Sequence, residues 1–302
     1  MSHRLRPCGA AAVLLLLLTL LSSCGQSAAQ DETATDYNQY IPSHGVTAYT
    51  KDLYIFFDSG RLFYVGRSQP SQLFPLCFQA DCDHKNSSCT AWLNTPSRSI
   101  YAAGDNLYYI DADKDAKPAL YRMDLSGGGR ELVKSLNILN EESWPGISLL
   151  GYSFRVYGSY LAIELNLLQE DSWQHKIYLT GIDSKDEGVF LFGEEGDSDK
   201  SYIAIEFREN WLFVTEKNAA DGTNTLWGYN FTTQEAVPLV EGWDISNCFT
   251  VQDGILYWAV TGDGVYSMDM EKKSVTKHRS FDPVLEYGAA AYDDQYLYLT
   301  NA

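Results

Sequence analysis

The sequence predicts an all-β fold made of repeated four-stranded units, on the evidence of its aromatic content and a recurring strand pattern. The chain has 21 tyrosines and 13 phenylalanines but only 4 methionines. Aromatic side chains fit the pleated, half-buried surface of a sheet. With 302 residues, of which 45% are hydrophobic, the chain can bury a substantial core. Helix is expected to be minor, since only GRELVKSLNILNEES approaches a helical period.

Six short segments share a polar turn followed by an aromatic or aliphatic strand. They are KDLYIFF at 51, GDNLYYI at 104, GSYLAIE at 158, ENWLFVT at 209, DGILYWA at 253 and DDQYLYL at 293. Their aligned leucines are Leu53, Leu107, Leu161, Leu212, Leu256 and Leu297, at spacings of 54, 54, 51, 44 and 41 residues. Such intervals are typical of β-propeller blades, which repeat every 40 to 50 residues or so. The sequence therefore predicts a propeller of about six blades.

Each interval also contains the strands of one blade. In the second, SIYAAGD, NLYYIDA, ALYRMDL and RELVKSL are separated by turn signals. The sixth supplies only LEYGAAAY and QYLYLTN, and an unfinished blade leaves an open sheet edge. We therefore expect a truncated product of a longer gene with six to eight blades. The alternative is that residues 36–50 complete the last blade.

The N-terminal segment has the layout of a secretory signal. Two arginines precede an apolar run that is too short to span a bilayer, and small residues follow it. Leu21-Ser22-Ser23-Cys24 resembles the bacterial lipobox, in which cleavage precedes a cysteine that receives lipid. We predict a signal peptide at 1–23, a lipidated flexible tether at 24–44 and a propeller at 45–302, anchored through Cys24 at the extracytoplasmic face of a bacterial membrane. The alternative is an ordinary signal that is cut elsewhere.

The charge of the chain limits its partners. Without residues 1–23 it has 20 basic and 40 acidic residues, a formal charge of −20. Nucleic-acid binding depends on neutralising phosphates with Lys and Arg, so the composition argues against it and against adhesion to anionic lipid. Contact with the membrane is expected through the Cys24 lipid only.

The segment LYYIDADKDAKPALYRMDLSGGGRELV, residues 107–133, resembles the YWTD-type blade of low-density-lipoprotein-receptor propellers. The residues that carry the resemblance are Tyr108, Tyr109, Ile110, Asp111, Tyr121, Arg122, Asp124 and Leu125. Over residues 45 to 302 the chain is similar to lipid-anchored bacterial proteins of uncharacterised function that have a receptor-like propeller. The resemblance implies a scaffold and a location rather than an activity.

The same segment holds two motifs that resemble ligand loops. Asp111, Asp113 and Asp115 alternate as calcium ligands do, but Ala116 and Arg122 stand where an EF-hand loop needs Gly and Glu. We predict that the three acids form a solvated turn. The glycines at 127–129 resemble a phosphate loop, which needs a following helix, whereas RELVKSL reads as the last strand of the blade.

The strongest chemical feature is CFQADCDHKNSSC, which contains Cys77, Cys82, His84 and Cys89. In an exported protein, cysteines are expected to form disulfides, here one within the cluster and one to Cys248. The alternatives are free thiols and a structural zinc site, because three thiols and one imidazole match a Cys3His ligand set. In the lipoproteins that the chain resembles, similar segments beside the first blade imply a structural role.

The sequence contains no Gly-x-Ser-x-Gly and no His-Glu-x-x-His motif. The seven tryptophans remain as candidates for stacking against a ligand. Trp92 and Trp144 are expected to be exposed on the ligand face. We therefore predict a binding module for a peptide, protein or glycan. The alternatives are a polysaccharide-active propeller hydrolase or lyase, and a structural component of an envelope assembly.

Overall fold

A computed structural model describes the part of the chain that forms the predicted propeller. It describes residues 47–94, 99–170, 172–185, 187–193, 200–242, 249–260 and 263–280, and the backbone of 287–292 and 297–301. The predicted signal, the tether and Cys24 lie outside the described residues, as does Cys248.

The described residues form five four-stranded sheets and one two-stranded sheet. The first two sheets consist of β1 (Thr47–Tyr49), β2 (Leu53–Asp58), β3 (Arg61–Gly66) and β4 (Leu73–Pro75), then β5 (Ile100–Ala103), β6 (Asn106–Ala112), β7 (Pro118–Asp124) and β8 (Glu131–Ser135). The third and fourth consist of β9 (Ser148–Tyr157), β10 (Tyr160–Gln169), β11 (Ser172–Gly181) and β12 (Val189–Phe192), then β13 (Lys200–Arg208), β14 (Trp211–Asn218), β15 (Asn224–Asn230) and β16 (Glu235–Glu241). The last two consist of β17 (Phe249–Gln252), β18 (Ile255–Val260), β19 (Gly264–Asp269) and β20 (Ser274–Ser280), then β21 (Tyr287–Tyr292) and β22 (Leu297–Asn301).

Each four-stranded sheet is an antiparallel meander in chain order. The first strands of consecutive sheets are neighbours, with β1 beside β5, β5 beside β9, and β9 beside β13. This is the arrangement of a β-propeller, in which every sheet is one blade and its first strand is the innermost. The predicted fold class is therefore confirmed, and the sheets are called blades 1 to 6 below.

The repeat found in the sequence corresponds to the second strand of every blade. The six aligned leucines lie on β2, β6, β10, β14, β18 and β22. Four of them, Leu107, Leu161, Leu212 and Leu256, are fully buried. The period is visible in the sequence because the second strand is covered on both faces, so its apolar residues recur from blade to blade.

The hydrophobic core consists of four clusters, one between each pair of consecutive blades from 1 to 5. Strand β6 shows how one strand serves two of them. Leu107 and Tyr109 pack toward blade 1, whereas Tyr108 and Ile110 pack toward blade 3. Successive side chains of a strand point to opposite faces, so an uninterrupted apolar run is the signature of a strand between two blades.

Blade 6 is described by two strands, β21 and β22. Strand β1 pairs with β2 in blade 1, with Ala48 opposite Ile55. The alternative, that residues 36–50 complete the last blade, is therefore wrong for 47–49, and residues 36–46 lie outside the described residues.

Helix is minor in the described residues, as predicted. GRELVKSLNILNEES forms β8 and two short 3-10 turns, Asn137–Leu139 and Glu141–Ser143. No helix in the described part of the chain is long and apolar enough to cross a membrane.

Candidate functional site

The connector between blades 1 and 2, residues 76–94, lies on the turn and third strand of blade 1. The Leu62 N–H donates to the Ala91 carbonyl at 2.8 Å, and the Leu93 N–H donates to the Gly60 carbonyl at 3.0 Å. Where the connector begins, the Leu76 N–H donates to the Leu62 carbonyl at 2.9 Å. Both ends of the connector are therefore attached to the same strand, and the cysteine-rich segment between them forms a closed loop.

The loop brings Cys77, Cys82, His84 and Cys89 together. Their ligand atoms all lie within 4.8 Å of one another, and the His84 Nδ1 is 3.4 Å from the Cys89 Sγ. His84 has a φ of 56°, a left-handed conformation that is uncommon for a residue other than glycine. Cys89 is buried and the other three are half-buried. The sequence-predicted ligand set is thus assembled at one point.

Backbone groups two positions further along the chain act on the sulfurs. The His84 N–H donates to the Cys82 sulfur at 3.4 Å, and the backbone groups of Gln79 and Ala91 favour the thiolates of Cys77 and Cys89. Hydrogen bonds to the charged form of a group favour that form. The backbone around Cys77 and Cys89 therefore favours their thiolates, the state in which cysteine binds metal.

The pKa values of Cys77 and Cys89 are shifted in opposite directions. Burial raises the pKa of Cys77, but the backbone groups of Gln79 and Thr90 and the neighbouring Cys89 thiol favour its thiolate more strongly, so the pKa falls to about 6. Burial and the neighbouring Cys77 and Cys82 raise the pKa of Cys89 to about 12. Cys77 is therefore a thiolate at neutral pH, whereas Cys89 keeps its proton until a bound cation displaces it.

These residues fit a tetrahedral metal. Zinc binds sulfur at about 2.3 Å, which places tetrahedral ligands about 3.7 Å apart, so small side-chain adjustments suffice. The Arg61 guanidinium donates to the His84 carbonyl at 3.3 Å and brings a positive charge to a centre whose three thiolates exceed the charge of Zn²⁺.

Cys77, Cys82 and Cys89 are free thiols in this structure, which does not show the disulfide expected within the cluster. Their three sulfurs converge with an imidazole nitrogen, which is the arrangement of the alternative metal site. The expected bridge to Cys248 falls outside the described residues.

A buried ion pair holds the far end of the connector. Asp111, which is 0% exposed, accepts the Asn94 N–H at 3.0 Å and pairs with Arg130. Arg130 also donates to the Trp92 carbonyl at 3.0 Å. Sequence reasoning missed Arg130 and Asn94. It also placed Asp111 in a solvated turn, which is wrong because Asp111 is on β6, two residues beyond Tyr109 and on the same buried face.

The other two acids of the triplet occupy the predicted turn. The Asp113 carboxylate accepts the Asp115 N–H at 2.8 Å and the Lys117 N–H at 2.9 Å, and Asp115 is exposed. The strand predicted after the three glycines is β8. Of the three acids, Asp111 is therefore a buried residue of β6, and Asp113 and Asp115 lie in the hairpin turn that follows.

The two tryptophans predicted on the ligand face are not both exposed. Trp144 is buried, and its indole N–H donates to the Ile138 carbonyl at 2.8 Å, so the expectation of exposure is wrong for it. The ring is drawn inward because it packs with the cluster between blades 2 and 3. Trp92 is half-buried, at the connector's bridge to Arg61.

A cavity of about 600 Å³ lies between the outer strand of blade 2 and the β11–β12 region of blade 3. Phe190, at its rim, is 43% exposed and packs edge-on against Trp144 and Tyr178. Lys134 joins the two walls by donating to the Ser184 carbonyl at 2.6 Å. The lining therefore combines a fixed aromatic ring with hydrogen-bonding groups.

Comparison with known proteins yields structural similarity only. No protein-family model matches the chain, and no curated protein matches it in sequence. The architecture is similar to those of an oligogalacturonate lyase in complex with manganese, a nidogen/laminin complex and a putative TolB from Agrobacterium tumefaciens, each at 13% identity.

The TM-scores of these three are 0.45, 0.43 and 0.44, and the matches cover 76%, 82% and 77% of this chain. They cover 62% of the lyase, 85% of the nidogen/laminin chain and 79% of the TolB protein, so the chain spans less than two thirds of the lyase. The neighbours are β-propeller proteins, and similarity at this level concerns the fold alone.

Proposed function

We propose that the chain is a lipid-anchored, extracytoplasmic binding module that recognises a peptide, protein or glycan at the cavity between blades 2 and 3. The observation that carries this proposal is the cavity itself. Its volume of about 600 Å³ is in the range of ligand pockets, and such pockets combine apolar walls with a few placed polar groups. Phe190 offers an exposed ring whose orientation is fixed by Trp144 and Tyr178.

Thermal unfolding against a panel of peptides and glycans tests this function. A ligand that binds the folded state raises the unfolding midpoint by mass action. Phe190→Ala should abolish the shift, whereas Phe74→Ala, which removes another exposed ring from the outer strand of blade 1, should leave it unchanged. A shift that survives Phe190→Ala would locate the ligand site elsewhere, and a panel without any shift would contradict the binding function.

The membrane anchor is proposed from the leader sequence. Cells that are fed a labelled fatty acid should incorporate the label into the wild type and not into Cys24→Ser. The variant should also leave the membrane fraction. Cys248→Ser is the matched control, because it removes a thiol outside the lipobox and should retain both label and membrane association. Equal labelling of all three proteins would contradict lipidation at Cys24.

We further propose that Zn²⁺ is a structural cofactor, held by the sulfurs of Cys77, Cys82 and Cys89 and by the Nδ1 of His84. When bound, it supplies a cross-link that closes the connector loop. Four protein ligands fill a tetrahedral site, which is the pattern of structural rather than catalytic zinc. The pKa of Cys77, which is lowered to about 6, supplies one of the thiolates that such a site requires, and the His84 N–H already donates to the Cys82 sulfur.

Metal analysis of the purified protein tests the cofactor. The wild type and Cys248→Ser should contain one zinc per chain, and Cys89→Ser should contain much less. Chelation should lower the unfolding midpoint of the wild type and of Cys248→Ser, but not that of Cys89→Ser. Destabilisation by reductant instead of chelator, with no bound metal, would favour the disulfide and overturn the zinc site.

A further inference from the structure

We infer that Asp111 and Arg130 are positioning residues for the metal centre, although neither is a ligand. They belong to blade 2, whereas the four ligands lie in the connector that follows blade 1. The inference rests on the proposed zinc site and adds to it a dependence on a buried ion pair in the neighbouring blade.

The pair holds the connector through two backbone groups. The Asp111 carboxylate accepts the Asn94 N–H, at 3.0 Å to Oδ1 and 3.2 Å to Oδ2. Arg130 contacts the Asp111 carboxylate with one nitrogen and donates to the Trp92 carbonyl at 3.0 Å with another. Each partner of the ion pair thus satisfies one polar group of the same three-residue stretch.

The position of Arg130 is itself fixed. Its guanidinium lies over the rings of Tyr109 and Tyr121, 5.5 and 5.0 Å from their centroids. The two rings stack on each other at 5.8 Å, and Tyr109 is fully buried. Cation–π contacts of this kind orient a guanidinium as well as attract it. The ion pair is therefore a rigid support rather than a flexible surface contact.

A short run of backbone connects this support to a metal ligand. The Trp92 N–H donates to the Cys89 carbonyl at 3.0 Å. Between them, the Ala91 carbonyl accepts the Leu62 N–H at 2.8 Å. Trp92, which Arg130 holds, therefore shares a turn with Cys89, and that turn is bonded to β3 of blade 1.

The expected coupling follows from preorganisation. Without the Asp111 charge, the half-buried Arg130 loses its counter-charge and the Asn94 N–H loses its charged acceptor. The connector end then samples more conformations, and metal binding must pay the entropy of ordering it. Groups that orient ligands without touching the metal commonly change metal affinity by about 10- to 100-fold. Linkage is reciprocal, so bound metal in turn stabilises the joint between blades 1 and 2.

The test measures zinc affinity of the full chain in detergent by competition with a chromophoric chelator. Asp111→Asn should weaken zinc binding by about 10-fold. Asp115→Asn, the same substitution in the exposed part of the same triplet, should leave affinity unchanged. Arg130→Lys keeps the charge but loses the two-pronged contact, and should also weaken binding. Its matched control is Arg122→Lys, because Arg122 of β7 forms an exposed ion pair with Glu131 of β8.

The outcomes separate the two proposals. A wild type that binds no zinc overturns both the cofactor and its coupling to Asp111. A wild type that binds one zinc, with Asp111→Asn and Arg130→Lys each matching its affinity, overturns the coupling alone. If Asp111→Asn does not fold, the zinc affinities of Arg130→Lys and Arg122→Lys are compared instead. Equal affinities of these two variants overturn the coupling. Selective loss of affinity in the Asp111 and Arg130 variants supports the inference.

Discussion

Gly127, in the turn between β7 and β8, lies directly against the carbonyl of Leu76 at the start of the connector. A Cβ on Gly127 would be 2.5 Å from the Leu76 oxygen and 2.8 Å from the Cys77 nitrogen. The φ of Gly127 is 84°, which also favours glycine. Gly127 thus serves close packing of blade 2 against the connector, next to Cys77.

Gly127→Ala should therefore destabilise the protein strongly. We expect a loss of about 3 kcal/mol in the free energy of unfolding, because the added methyl group meets backbone that cannot move freely. Gly104→Ala is the control, since its φ is 55° but no atom lies within 4 Å of the added Cβ. That variant should lose only about 1 kcal/mol, the cost of a left-handed conformation. Urea unfolding of both variants measures the difference, and equal losses would contradict the packing role.

The buried indole of Trp144 leads to a second prediction. Trp144→Ala should cost about 3 to 5 kcal/mol, since it empties a site in the cluster between blades 2 and 3 and leaves the Ile138 carbonyl without its donor. Trp173→Ala removes a ring that is 56% exposed and should change stability by no more than about 0.5 kcal/mol. Urea unfolding of the two variants, followed by circular dichroism, tests this. Comparable losses in both would show that Trp144 does not support the core.

The fold could be predicted because blade packing leaves a repeated trace in the sequence. The second strand of each blade is buried on both faces, so segments such as NLYYIDA stand out as apolar runs at blade spacing. Turn signals between them fixed the remaining strands, and β5 to β8 coincide with the four runs identified from sequence. The pairing of β1 was harder to predict, because three residues carry too little pattern to indicate which blade they join.

The grouping of Cys77, Cys82, His84 and Cys89 could also be predicted, because they lie within 13 residues, although the sequence favoured disulfides and left zinc as an alternative. Their supporting groups could not. Arg130 is 41 residues from Cys89, and only the packing of blade 2 against the connector brings it near. The burial of Asp111 had a local signal, since it follows Tyr109 by two residues on one face of β6, but the neighbouring Asp113 and Asp115 made the stretch look like a solvated loop.

Glu164 gives a prediction for the pH dependence of stability. It lies on β10, opposite Ser153 of β9, whose hydroxyl donates to the carboxylate at 3.0 Å. Burial raises the pKa of Glu164, and the Ser153 hydrogen bond and the charge of Arg155 offset this only in part. An acid with a raised pKa binds its proton more tightly in the folded state than in the unfolded state. Its favourable contribution is therefore complete below the ordinary glutamate pKa and is lost as the pH rises through the folded-state value.

Glu164→Gln should consequently stabilise the protein at pH 7. The amide has nearly the same shape, carries no charge to desolvate and can still accept the Ser153 hydrogen bond. The gain should shrink as the pH falls and disappear below about 4.3, the ordinary glutamate pKa, where the wild-type carboxyl is also neutral. Urea unfolding of both proteins between pH 7 and pH 4 measures this difference. Glu170→Gln, in the exposed turn that follows the same strand, should show no comparable gain. A Glu164→Gln protein that is less stable than the wild type at pH 7 would mean that the Arg155 and Ser153 contacts outweigh the burial of the charge.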